Sequence, residues 1–140
     1  MIWQYLLIVG GLALTAISWW KIGQKKFYED TPWLYPLSIY VWGDALVIGL
    51  FWAAVGVLAS WLSWMWLVRL LLLFYGMRWF FETIYWLNHQ AHEKTFIPWF
   101  LQKRKWLTAD QAAIVYQVLH LCMTTLAWFG LIFSFFAWPV

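Results

Sequence analysis

The stretch Arg78-Trp-Phe-Phe-Glu82-Thr-Ile-Tyr85-Trp-Leu-Asn88-His89 closes an apolar run that opens near Trp64. Arg78, Glu82, Tyr85 and His89 follow one another at steps of four, three and four. An α-helix repeats every ~3.6 residues, so these four side chains share one helix face. The run is long enough to cross ~30 Å of hydrocarbon at ~1.5 Å per residue. Charged side chains in hydrocarbon cost about 2.5–3.5 kcal/mol each on insertion scales and turn towards protein. A membrane helix with one charged face therefore predicts further membrane helices to shelter it.

Composition points the same way. Of 140 residues, 65% are hydrophobic and 11% charged, with a mean hydropathy of +0.68. A soluble domain carries about 25% charged residues, so lipid is the solvent for most of this chain. Fifteen Trp, seven Tyr and eleven Phe suit two membrane–water interfaces, where amphipathic rings anchor. The formal net charge is +3, with the basic residues mostly in loops. That pattern points to anionic lipid headgroups as partners and offers nucleic acid no continuous basic face. Cys122 is the single cysteine, so no intrachain disulfide forms.

Working outward, the sequence predicts an all-α integral membrane protein of one domain, an antiparallel bundle of four transmembrane helices. The helices cover residues 2–20, 37–60, 64–88 and 112–138, and the loops 21–36 and 89–111 connect them. The first has no basic leader and no evident cleavage site before Trp19-Trp20-Lys21, and reads as a retained membrane helix. Gly10, Gly11, Ala13, Thr15, Ala16 and Ser18 on helix one, and Gly49, Ala53, Gly56 and Ser60 on helix two, are small enough for close helix approach. Pro36 suits the first position of helix two. Thr108 and Gln111 have the spacing of a capping box ahead of helix four.

Loop charge predicts orientation. Lys21, Lys25 and Lys26 lie in the first loop, and Lys94, Lys103, Arg104 and Lys105 in the third. The middle loop and both termini carry no charged side chain. By the positive-inside rule the first and third loops are cytoplasmic and both termini extracytoplasmic, in a plasma (bacterial inner) membrane. Phe96 to Leu107 alternates bulky apolar and basic residues, the pattern of an interfacial segment with Lys103, Arg104 and Lys105 on anionic headgroups. Phe27, Tyr28, Trp33 and Tyr35 can lie at the interface in the same way. Arg69, about five residues into helix three, is expected to snorkel to the outer headgroups.

Counting from the cytoplasmic helix ends at ~1.5 Å per residue puts Asp44 about 10 Å deep, Arg78 about 15 Å, Glu82 about 9 Å and His120 about 12 Å. These four residues form one predicted polar layer, and Tyr40, Tyr85, Gln117 and Thr124 lie on the same stripes. His89 marks its cytoplasmic mouth. One reading is a lock, in which Arg78 bridges Asp44 and Glu82 and fixes helix rotation. The other is a cavity, in which a buried carboxylate and His120 exchange a proton.

Three uses are open. A small transporter would bind a cationic or organic solute with proton coupling, aided by Tyr40, Tyr85, Trp86 and Tyr116; a chain this short then predicts a homodimer or larger homo-oligomer. A membrane enzyme would act on a lipid-like substrate through Glu82 or Asp44 and His120. A non-catalytic subunit of a larger membrane complex would use the layer structurally. His89, His92 and His120 are the only histidines, too few for a histidine-box metal enzyme. His120 and the helix-three histidines differ in depth, which disfavours haem. No cofactor is expected, and no phosphate-binding loop or serine-nucleophile motif is present.

Overall fold

The structure is a computed structural model that describes residues 2–91 and 108–138, with backbone alone at 89–91 and 109. The expectations for His92, Lys94, Phe96 to Leu107 and Pro139 lie outside the described residues, as does the His89 side chain. The described chain is 84% helical without strands, so the all-α class holds. In order come α1 (Ile2–Gly23), a short 3-10 helix (Pro32–Leu37), α2 (Trp42–Leu58), α3 (Trp64–Ala91) and α4 (Ala109–Ala137). The ranges Ile2–Gly23 and Asp110–Ala137 are long and apolar enough to cross a membrane. α2, with 17 residues, is shorter. α3 carries Arg69, Arg78 and Glu82 along its 28 residues.

The helices pair as two hairpins, each a compact unit. In the first, Gln4 Nε2 donates to the Ala59 carbonyl at 2.8 Å, Ile8 lies against Gly56, and Thr15 against Gly49, so α1 and α2 run antiparallel. A β-carbon on Gly11 would lie 2.5 Å from the Ala53 nitrogen and 2.6 Å from the Gly49 oxygen. One on Gly49 would meet Thr15 Oγ1 at 2.6 Å, and one on Gly56 would meet the Gln4 oxygen at 2.9 Å. The small-residue stripe on helix two is thus a backbone-to-backbone seam. In lipid such packing holds helices together by dispersion, since no hydrophobic gain separates a side chain from a lipid tail.

Between these helices the chain makes an ordered excursion. α1 ends with Lys25 in the left-handed region (φ 63). Lys26 N–H donates to the Lys21 carbonyl at 3.2 Å and Lys25 N–H to Ile22 at 2.8 Å, the two bonds of a Schellman motif. Ser38 (φ 59) ends the 3-10 helix the same way, with Ile39 N–H on Leu34 and Ser38 N–H on Tyr35. A single bridge pairs Asp30 with Val41, and Thr31 and Ile39 are fully buried beneath it. Helix two therefore begins at Trp42, not at residue 37. Pro32 and Pro36 sit inside the 3-10 turn, and Ser38 breaks the helical path that hydropathy alone would continue.

The second hairpin is matched by larger groups. Arg69 meets Ser134, Leu72 lies near Gly130, Gly76 near Ala127, and Trp86 near Tyr116, so α3 and α4 are also antiparallel. Thr108 opens α4 as its spacing predicts: its Oγ1 accepts from Gln111 N–H at 3.3 Å and its N–H donates to Gln111 Oε1 at 2.9 Å.

Candidate functional site

The buried face of α4 runs Ala113, Tyr116, His120, Thr124, Ala127 and Ser134. These positions are three, four or seven residues apart and form one stripe. Its middle is polar inside an otherwise apolar helix. His120 is 2% exposed and its Nδ1 lies 2.7 Å from the Tyr116 carbonyl oxygen. A carbonyl can only accept, so Nδ1 carries the proton and, in the neutral ring, Nε2 is the acceptor. The Tyr116 ring lies 5.5 Å from the His120 ring, and Trp86 packs on Tyr116 at 4.8 Å. The imidazole is thereby held in one orientation by a backbone bond and an aromatic wall from both helices.

One turn further along α4, Thr124 is 6% exposed, and its Oγ1 has no hydrogen-bond partner among the described residues. Antiparallel register brings this part of α4 level with the Trp79–Thr83 turn of α3, where buried Thr83 donates to the Trp79 carbonyl at 2.9 Å. On α3, Arg78 Nη2 and Glu82 Oε1 are 3.4 Å apart, and both side chains are largely covered. Tyr85 is half-buried and sits edge-on to Trp86 at 5.4 Å. Gln117 is half-buried beside the stripe. Arg78, Glu82, Tyr85, Gln117, His120 and Thr124 thus belong to one hairpin.

Asp44 and Tyr40 belong to the other. Asp44 is the third residue of α2, so the depth counted from residue 37 is corrected to a helix end. Asp44 Oδ2 accepts from the Tyr40 N–H at 3.0 Å and the Val41 N–H at 3.3 Å. A carboxylate there satisfies orphan amides and faces the positive pole of the helix. The Tyr40 ring packs on Tyr35 at 5.4 Å, and Tyr35 Oη donates to Asp30.

Two features were not legible from spacing. Arg69 does not snorkel: it is 3% exposed, with Nε on Ser134 Oγ at 3.2 Å and Nη2 on the carbonyls of Ser134 at 2.9 Å and Trp138 at 2.6 Å. The Trp66 and Phe135 rings lie 4.9 and 4.1 Å from its guanidinium carbon. Its partners are 65 and more residues away, so no local pattern announces them. In the first loop, Phe27 covers Gly43, and Trp42 Nε1 donates to Glu29 Oε2 at 3.2 Å. Lys21 Nζ lies 5.4 Å from the Trp20 ring and 5.5 Å from the Trp42 ring. Tyr28 and Trp33 remain exposed.

Among the described residues no three His, Cys, Asp or Glu side chains gather closely enough to hold a metal. Models of known families, curated proteins and solved structures offer no match to this chain.

Proposed function

We propose that the protein is an integral membrane protein with four membrane-crossing helices and both termini extracytoplasmic, and that its second hairpin binds a small cationic or organic solute with exchange of a proton. The observation that carries this reading is His120. A titratable ring is buried on the polar stripe of a membrane-length helix, locked to one tautomer by Tyr116 and lined by Trp86. Thr124 adds a hydroxyl with unmet hydrogen-bonding capacity one turn away. Arg78 and Glu82 supply a charge pair on the facing helix, in which loss of the Glu82 charge would leave Arg78 to repel a cation. Asp44, which holds the start of α2, has a capping role in this scheme. Anionic headgroups at Lys103, Arg104 and Lys105, and assembly as a homodimer, complete the proposal.

The test is uptake of organic cations into proteoliposomes under an imposed pH gradient. Uptake that follows the gradient and is lost in both Glu82→Gln and His120→Phe supports the reading. Uptake absent from the wild type, or unchanged in both variants, ends it. A second reading has its own support: Arg78 and Glu82 neutralise each other along one helix, as a purely structural pair would. A non-catalytic subunit of a larger membrane complex fits that pairing. It predicts that a partner co-purifies from the membrane and that Arg78→Met with Glu82→Met leaves the assembly functional.

A further inference from the structure

Arg69 is a buried cation that no carboxylate neutralises among the described residues. Its three bonds go to a hydroxyl and two carbonyls, and Nη1 is buried with no hydrogen-bond partner. The carbonyls belong to the last turn of α4, whose negative pole offsets about half a charge. At the same end α3 begins, with no acidic residue in its first turn. The positive pole of a 28-residue helix therefore adds to the unbalanced guanidinium. The Trp66 and Phe135 rings lie over the Arg69 guanidinium carbon. Trp66, Phe135 and Trp138 are themselves at the surface, all at least 40% exposed. Three of the five guanidinium N–H donors are spent and the two on Nη1 are not, so the group keeps both a charge and donors for a phosphate oxygen. On the membrane reading, the Trp66 and Phe135 rings that flank it lie at the water–lipid boundary, at the level of headgroup phosphates.

We propose that Arg69 Nη1, beside the Trp66 and Phe135 rings, is a phosphate-binding site at the end of the second hairpin where α3 begins and α4 ends, filled by the phosphate of a phospholipid. This rests on the membrane reading of the hairpin and is independent of the solute reading at His120. Arg69, Arg78 and Arg104 are the only arginines, so a guanidinium ¹⁵N spectrum of the full chain is simple to assign. The full chain in a maltoside detergent is titrated with phosphatidylglycerol, with diacylglycerol and with inorganic phosphate. A shift of the Arg69 signals with phosphatidylglycerol alone supports the lipid. A shift with inorganic phosphate as well, or with it alone, supports the phosphate chemistry and assigns the source to free anion. No shift with either, or an equal shift with diacylglycerol, overturns the site. In thermal unfolding, phosphatidylglycerol is expected to raise the wild-type midpoint by several degrees over diacylglycerol, and Arg69→Gln to abolish that difference. An undiminished difference in Arg69→Gln also overturns it. The spectrum needs no variant, so it decides even if Arg69→Gln does not fold.

Discussion

Gly11, Gly49, Ala53 and Gly56 let α1 and α2 meet backbone to backbone, whereas α3 and α4 meet through Arg69, Trp86, Tyr116 and His120. Both hairpins join two apolar helices, yet they spend sequence differently. The first has removed side chains along the middle of its seam, with the Gln4–Ala59 hydrogen bond at one end and Lys21 against Trp42 at the other. The second keeps bulky and polar groups in its seam, with Arg69, Thr83 and His120 bonded to backbone carbonyls and Thr124 Oγ1 left without a partner among the described residues. A glycine seam this close leaves no room for an added side chain. A seam of fitted polar groups tolerates exchange, and it is where a proton or an anion can be held. The difference is the ground on which the proposed function is placed in the second hairpin.

Glycine substitution breaks the comparison most directly. Gly11→Ala places a β-carbon 2.5 Å from the Ala53 nitrogen, which cannot move without its helix. The expected loss is about 3 kcal/mol, the upper range for overpacking. Gly10→Ala, with nothing within 4 Å, should be neutral or stabilising. In the second hairpin, Gly76→Ala meets the Ala127 methyl at 3.3 Å and the Trp128 ring at 3.4 Å, side-chain atoms rather than backbone. It should change stability by less than about 1 kcal/mol. Unfolding in mixed micelles measures all three. Equal losses at Gly11 and Gly76 would erase the distinction between the seams.

Arg69→Ala tests the polar side of the contrast. It deletes a charged donor with three bonds and leaves the Ser134 carbonyl in the seam. About 2 kcal/mol of stability should go, in the range for hydrogen bonds to charged groups. Arg69→Lys should recover only part, because one ammonium nitrogen cannot replace both Nε on the Ser134 hydroxyl and Nη2 on the two carbonyls. Amide exchange should localise the loss to the last turn of α4.

A smaller effect of opposite sign is expected at Thr124. Its buried hydroxyl has no partner among the described residues, so Thr124→Val keeps the shape and removes an unmet polar atom. The variant should gain about 1 kcal/mol. If the stripe binds solute, the same variant should lose uptake while gaining stability. A gain in stability with unchanged uptake would leave Thr124 outside the site.

What the sequence made legible follows from range. The Gly49-Ala53-Gly56 stripe, the Thr108–Gln111 cap and the polar face Gln117-His120-Thr124 are each written within a few turns of one helix. Periodicity is enough to read them. Arg69 was misread because its partners, Ser134 and Trp138, are brought near only by the antiparallel register of α3 and α4. Asp44 counts as seven residues into helix two by hydropathy but is its third residue, because hydropathy cannot distinguish Leu37-Ser38-Ile39 in a 3-10 exit from the same residues in a helix. The sign was present in Pro32 and Pro36, which together favour a turn over a long helix start.

The weakest expected effect separates the first loop from both seams. Glu29 lies outside the helices and its carboxyl is drawn below the usual 4.5. Partial withdrawal of water works upward, but the Lys26 bond and charge, the Lys21 charge and the Trp42 indole outweigh it. A lowered value means that the folded loop favours the carboxylate. Its contribution is present at and above pH 4.5 and disappears as pH falls through the folded value below it. The Trp42 indole N–H signal should therefore shift as pH drops under 4.5, while the indole of Trp86, in the second hairpin, stays still. Glu29→Gln keeps an acceptor for Trp42 but removes the titration, so the shift should vanish in that variant. A shift that persists would assign the transition to Asp30 or Asp44, the other carboxylates holding the ends of the excursion. It would move the loop's sensitivity from its Trp42 tether to the start of α2.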